Sequence, residues 1–222
     1  MAPPRRVNLP VQPALIRAAL LILAAGPAGW LAARLTRREA VGAEPPATAL
    51  VIAAMVIAFA WVAVRGPAAW PLLVASLALA WSLVSLAAID LAAYRLPDAL
   101  TLPLLAAGLL VALLLPGRPI LEHVAGAMVG WGALAALAWA FRRWRGVDGM
   151  GLGDAKLYGA AGAWLGWAAL PSVMLIACVA AFAWVALRVL RRGREAAREG
   201  IAFGVPLSLA ILAVWLEGPL AV

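Results

Sequence analysis

The chain alternates between long apolar runs and short polar breaks. The runs cover residues 13–34, 47–64, 69–90, 99–115, 120–141, 154–168, 171–190 and 201–217. Arginine, proline and glycine dominate the breaks, as in Arg65-Gly66-Pro67 and Pro116-Gly117-Arg118-Pro119. Glycine and proline are the residues that stop helices, so each break reads as a loop. A spanning helix needs about 20 apolar residues, and seven of the runs reach or approach that length. Residues 154–168 fall short, which predicts a tilted or partly re-entrant helix, or one joined to 171–190 by a tight turn. Open sheet edges have no hydrogen-bond partners in lipid, so the spans must be helical. The predicted fold is an all-α polytopic membrane protein with about eight transmembrane helices, seven being the alternative. Residues 1–222 are expected to form a single integral membrane domain.

Composition agrees with this pattern. Of 222 residues, 66% are hydrophobic and the mean hydropathy is +1.00, against about 45–50% apolar in soluble domains. The lipid bilayer is therefore the first expected partner. The net charge of +8 raises the question of nucleic acid. The basic residues cluster in short breaks between apolar runs, as topology signals do, so nucleic acid is not expected. With eight spans and residues 35–46 in the cytoplasm, thirteen of the eighteen Lys and Arg residues fall on the cytoplasmic side. A seven-span arrangement would put the basic stretch 188–199 on the wrong side. Both termini are then expected outside.

Cys178 stands alone, which excludes an internal disulfide and reads as a small buried hydrophobe. His123 and Glu122 are too few ligands for a metal site and read as interfacial polar residues.

Two acids stand out. The GMGLGDAK stretch, residues 149–156, carries glycines at 149, 151 and 153 and delivers Asp154 to the mouth of an apolar run. Asp90 ends the third run. A carboxylate at the edge of hydrocarbon is costly and points to function. The third run travels inward and ends at Asp90, whereas the sixth starts inside at Asp154. Both acids therefore reach the same cytoplasmic depth. Two carboxylates together in a partly dry site cannot both ionise easily, so they share a proton. One can then activate water while the other polarises a carbonyl. Asp154, near a helix N-terminus, is expected to hold the negative charge; Asp90, near a C-terminus, the proton. Asp98 follows Pro97 and reads as a helix N-cap, and Asp148 as a cap or solvated end. A proton relay or transporter could use the same two acids, and an inactive assembly scaffold could carry them without turnover.

The motifs narrow this choice. Gly151-Leu-Gly153-Asp154-Ala-Lys156-Leu157 resembles the GxGDxKL signature of type IV prepilin peptidases, aspartic proteases of the bacterial inner membrane. The stretch from Gly159 through Trp164 and Gly166 to Trp167 is similar to the continuation of that signature. Upstream, Asp90 followed by Leu96-Pro97-Asp98 and Leu100-Thr101-Leu102-Pro103 resembles the first acid motif of the family. Ala202-Phe203-Gly204-Val205-Pro206-Leu207 resembles its PFGP-type stretch, departing at Ala202 and Val205. The likeness covers about residues 47–215.

The resemblance implies an aspartic endopeptidase with Asp90 and Asp154 as the catalytic pair. Gly151, Gly153, Lys156, Pro97 and Asp98 would be supporting residues. The glycines would admit the scissile backbone, and Lys156 would attract carboxylates, stabilise local structure or anchor the cytoplasmic edge. The implied substrates are prepilins or pseudopilins of type IV pili or type II secretion, cleaved after a glycine at the cytoplasmic face. Larger members carry a cysteine-rich insert after the first helix and methylate the product with S-adenosylmethionine. Residues 35–46 stand there without cysteine. No metal and no cofactor are expected; S-adenosylmethionine would enter only if methylation survives without the insert. Ala92 replaces an acid found in many relatives and should leave the pair intact. The oligomeric state is left open.

Overall fold

The computed structural model describes residues 11–40, 44–67, 69–146, 151–195 and 200–220. Asp148 and Gly149 lie outside the described residues, as do Arg5, Arg6, Arg198 and Glu199. The described residues form eight α-helices. In chain order they are α1 (Val11–Glu39), α2 (Thr48–Arg65), α3 (Trp70–Ala93), α4 (Asp98–Leu114), α5 (Ile120–Arg145), α6 (Leu152–Leu165), α7 (Leu170–Arg192) and α8 (Gly204–Glu217). A single 3₁₀ turn, Trp167–Ala169, joins α6 to α7, and the described residues contain no strand.

Each predicted run has become a helix, but the polar ends belong to the helices more often than expected. α1 passes through Pro27 and continues to Glu39. α5 takes Arg142, Arg143 and Arg145 into its last turn, where cations face the negative end of the helix dipole.

The helices differ in length. Five helical stretches are long and apolar enough to cross a membrane: Ala18–Glu39, Thr48–Arg65, Trp70–Ala93, Ile120–Arg145 and Trp167–Arg192. Helices α4 and α8 are shorter apolar helices, and α6 has only 14 residues. Fourteen residues rise about 21 Å, well short of a hydrocarbon core of about 30 Å. Among the described residues the eight helices are present, five of them long and apolar enough to cross a membrane and three shorter. Helix α6 ends at Gly166, whose φ of 82° suits glycine, and the 3₁₀ turn follows. It is a separate short helix joined to α7 by a tight turn, one of the arrangements the sequence left open.

Protein surrounds α6 more than lipid does. Residues from Ala155 to Trp164, Lys156 excepted, are buried, as expected of a helix that is apolar on every side. Its tightest neighbour is α5. A Cβ at Gly162 would lie 2.1 Å from the Gly126 carbonyl atoms, and one at Gly130 would lie 2.5 Å from Tyr158 O. Small residues that let backbones touch are a main source of helix association in lipid, where apolar burial gives no advantage. His123 belongs to this seam. It is buried, with Nδ1 2.9 Å from Ala163 O. Cys178 is only half-buried.

At the α6 C-terminus, Trp164 Nε1 donates to Leu104 O at 2.8 Å and its ring meets Trp215 edge-on at 5.3 Å. Arg118 lies over Trp215 at 4.4 Å, and burial lowers its guanidinium from the usual range. Helices α1, α2 and α3 form one packed group, and α4, α5 and α6 another; α8 touches α3, α6 and α7 and so connects them. This position of α8 brings its N-terminus to the acids.

Candidate active site

Asp90 occupies the last turn of α3 and is 4% exposed. Tyr94 caps that helix in the left-handed conformation, φ 51° and ψ 39°, and its N–H bonds back to Asp90 O at 2.9 Å. A left-handed tyrosine is uncommon, and here it turns the chain sharply through Arg95 and Leu96 into Pro97. Pro97 is the α4 N-cap, and its fixed φ suits the start of a helix. Asp154 lies in the first turn of α6, half-buried.

The two acids, 64 positions apart in sequence, line one cavity of about 630 Å³. Gly151, Leu152 and Gly153 form one wall with Asp154; Tyr94, Arg95 and Leu96 form another with Asp90; Ile201 and Phe203 complete it. Volumes of this size hold extended ligands. The pairing expected from topology alone is therefore present, since both acids reach the same end of the bundle.

Gly153 has a packing reason to be glycine. A Cβ there would lie 3.0 Å from Leu96 Cβ and 3.4 Å from Leu96 N. Its absence lets the start of α6 close on the turn that carries Asp90. Gly151 is under no such pressure: a Cβ would lie 3.9 Å from Asp154 Oδ2, an ordinary contact.

Helix α8 supplies what the sequence reading missed. Gly204 N–H donates to Asp90 Oδ2 at 2.8 Å. A Cβ on Gly204 would lie 2.8 Å from the same oxygen, so a side chain there and this bond compete for one space. Charge-assisted bonds from helix N-terminal amides favour a carboxylate's ionised form. The expectation that Asp154 holds the charge did not include this donor. It weighed each acid's own helix, whereas the amide that matters to Asp90 comes from a third helix. The Phe203-Gly204 pair was the available signal.

Pro97, Asp98 and Lys156 do not line the cavity. Asp98 is the first residue of α4 and makes no cap bond, so the N-cap prediction is corrected. Its Oδ1 lies 2.6 Å from Lys156 Nζ. The pair ties α4 to α6 just outside the cavity, and Asp98 also faces the positive end of its own helix dipole. Arg95 bonds Glu39 O and approaches the Glu39 carboxylate at 3.6 Å, which secures the α3–α4 turn to α1. Among the described residues, no three His, Cys, Asp or Glu side chains cluster as a metal site would require.

Comparison with known proteins gives consistent matches. The type IV leader peptidase family matches residues 77–186, a stretch that contains both acids. The chain is 43% identical over 183 residues to a prepilin leader peptidase/N-methyltransferase of Aeromonas hydrophila, covering 82% of this chain and 61% of that protein. It is 42% identical over 167 residues to the protein of the same name in Burkholderia pseudomallei strain K96243, covering 75% and 52%. A Klebsiella pneumoniae relative of that name is 50% identical over 99 residues, 45% of this chain and 43% of the relative. The chain thus spans less than two thirds of the length of these relatives. No solved structure matches it. Taken with the motifs about Asp90 and Asp154, these matches establish that the chain belongs to the type IV leader peptidase family.

Proposed function

We propose that the chain is a membrane aspartic endopeptidase that removes the leader peptide of prepilins or pseudopilins. One observation carries this reading: Asp90 and Asp154, from separate helices, line a single cavity at one end of the bundle. The family match and the relatives' names support it, and they lend nothing to a transporter or scaffold. By the arginine distribution, the cavity opens at the cytoplasmic face of the bacterial inner membrane. A substrate with a soluble leader and an apolar helix suits that position. The peptidase unit is taken as a single domain over residues 1–222.

In this mechanism Asp90, held by the Gly204 amide, is the ionised partner, and Asp154 carries the shared proton. Water enters between them. Asp90 removes its proton as the water oxygen attacks the scissile carbonyl carbon, and Asp154 protonates the carbonyl oxygen. The resulting gem-diol collapses when the leaving nitrogen takes a proton from Asp90, the C–N bond breaks, and one gem-diol hydroxyl returns its proton to Asp154 as the C=O bond re-forms. The relatives' names add N-methyltransferase to peptidase. We assign cleavage alone to this chain, without S-adenosylmethionine, because residues 35–46 stand where larger members carry their cysteine-rich insert.

The test is a processing assay. Purified protein is mixed with prepilin-type substrates, with and without S-adenosylmethionine, and the product N-terminus is read by mass spectrometry. Cleavage after glycine should fall by at least about a thousandfold in Asp90→Ala and Asp154→Ala, the scale of a lost acid–base partner. Wild-type rates in either variant would refute the pair. A methylated product mass would refute the cofactor-free assignment.

A further inference from the structure

A second cavity, about 340 Å³ and almost wholly apolar, lies between α2, α3 and α8. Its walls are the Leu50 and Ile57 side of α2, the Val84 and Leu91 side of α3, and the Val205 and Leu209 side of α8. Three observations connect it to the acids. Leu91 is the residue after Asp90, and Val205 is the residue after Gly204, whose N–H holds Asp90. The groove therefore begins beside the first cavity. From Val205 to Leu212 along α8 it runs about 10 Å into the bundle, at 1.5 Å per residue.

The far end is closed. Glu217 of α8 meets Arg65 of α2 at 3.0 Å and accepts from Trp61 Nε1 at 3.1 Å. Helices α2 and α8 are tied together there, and the groove occupies the space between them toward the acids.

Ser208 is the third observation. It is 4% exposed, lines the groove, and its Oγ is the one buried side-chain oxygen or nitrogen among the described residues with no hydrogen-bond partner. The helical serines Ser76, Ser82 and Ser85 each bond the carbonyl four residues back. Ser208 does not. A buried unpaired hydroxyl is costly unless a partner arrives. Ser208 lies one helical turn deeper than Gly204. A helix entering from the cavity would bring its unpaired N-terminal N–H groups to that depth, where lipid offers them no acceptor.

We propose that this groove seats the first turns of the substrate's apolar helix, on the C-terminal side of the scissile bond, with Ser208 Oγ accepting a backbone N–H. The inference rests on the peptidase reading and adds a binding site to it. The groove confers affinity for substrates that carry a membrane helix, and the cavity at the acids holds only the extended segment.

Two substrates test it: a full prepilin-type protein, and a short peptide spanning the same scissile bond without the helix. Ala54 projects from the α2 wall and is exposed. Ala54→Trp should raise the KM for the helix-bearing substrate at least about tenfold relative to that for the peptide, as loss of ground-state binding does. Leu113→Trp, on the exposed face of α4, should change neither. Ser208→Ala should raise the same KM ratio without lowering thermal stability, because it removes an unpaired hydroxyl. A photo-crosslinker at Ile57 should capture the substrate helix. Labelling of lipid alone, or an unchanged KM ratio in Ala54→Trp with cleavage intact, would overturn the groove and leave the peptidase standing. Absence of any cleavage that depends on Asp90 and Asp154 would overturn both.

Discussion

Gly204→Ala is the sharpest single test of the site. The new methyl carbon would lie 2.8 Å from Asp90 Oδ2, 3.0 Å from Asp90 Cγ and 3.1 Å from Leu96 Cδ2. Leu96 can move, since Cδ2 is the end of a flexible side chain. The carboxylate cannot remain in place, because carbon–oxygen contacts need roughly half an ångström more room. Its retreat stretches the 2.8 Å bond from Gly204 N–H. A hydrogen bond to a charged group contributes about 1.5–3 kcal/mol, which is roughly 10- to 150-fold in rate if it holds the reacting geometry. The loss should appear in kcat, because the bond orients a reacting group and does not touch the substrate. The assay is cleavage of a prepilin-type substrate in detergent, with thermal unfolding measured on the same preparation. Gly132→Ala is the control: a Cβ there meets nothing within 4 Å. A Gly204→Ala protein cleaving within twofold of wild type would refute the argument that α8 positions Asp90.

Gly153→Ala should destabilise the fold by about 1–3 kcal/mol through overpacking against Leu96, whereas Gly151→Ala should leave thermal unfolding unchanged; equal shifts would contradict the contact distances. The Lys156–Asp98 pair is partly exposed, with side-chain exposures of 30% and 56%. A double-mutant cycle on unfolding should therefore return a coupling under about 1 kcal/mol, and Asp98→Asn should keep most of the cleavage rate. Loss of cleavage in Asp98→Asn would place a third carboxylate in the chemistry. Gly162→Ala drives a methyl into the Gly126 carbonyl at 2.1 Å, and backbone cannot yield as a side-chain tip does. It should cost several kcal/mol, beyond the usual overpacking range, and show as a collapse in folded yield on size-exclusion chromatography.

How far the sequence could be read depends on how far each interaction reaches. Apolar runs set helix positions locally, so all eight helices were legible, and so was the meeting of the two acids at one end of the bundle. Helix length was less legible. A polar residue at the end of a run looks like loop until the helix continues through it, as α1 does to Glu39 and α5 does to Arg145. The short α6 was visible as a short run. Its enclosure rests on contacts from Gly126 and Gly130, about 30 residues earlier, and no local pattern reports that.

The site divides in the same way. Asp90, Asp154, Gly151 and Gly153 were recognisable because each belongs to a contiguous motif, and the cavity unites them. Asp98 was misread because the cap rule considers only the neighbouring backbone, whereas its partner Lys156 is 58 positions away. The charge assignment left out a neighbour. A helix dipole acts on whatever lies at its end, not only on its own side chains. Asp90 is at the C-terminus of α3 by sequence and at the N-terminus of α8 in space, 114 positions along the chain. The spatial relation could not be seen in the sequence, and it puts the Gly204 N–H within bonding distance of the carboxylate. Ser208 sits one turn further along the same helix. Helix α8 therefore belongs to the site by two routes: its first amide holds Asp90, and its next turn lines the groove where the substrate helix is proposed to rest.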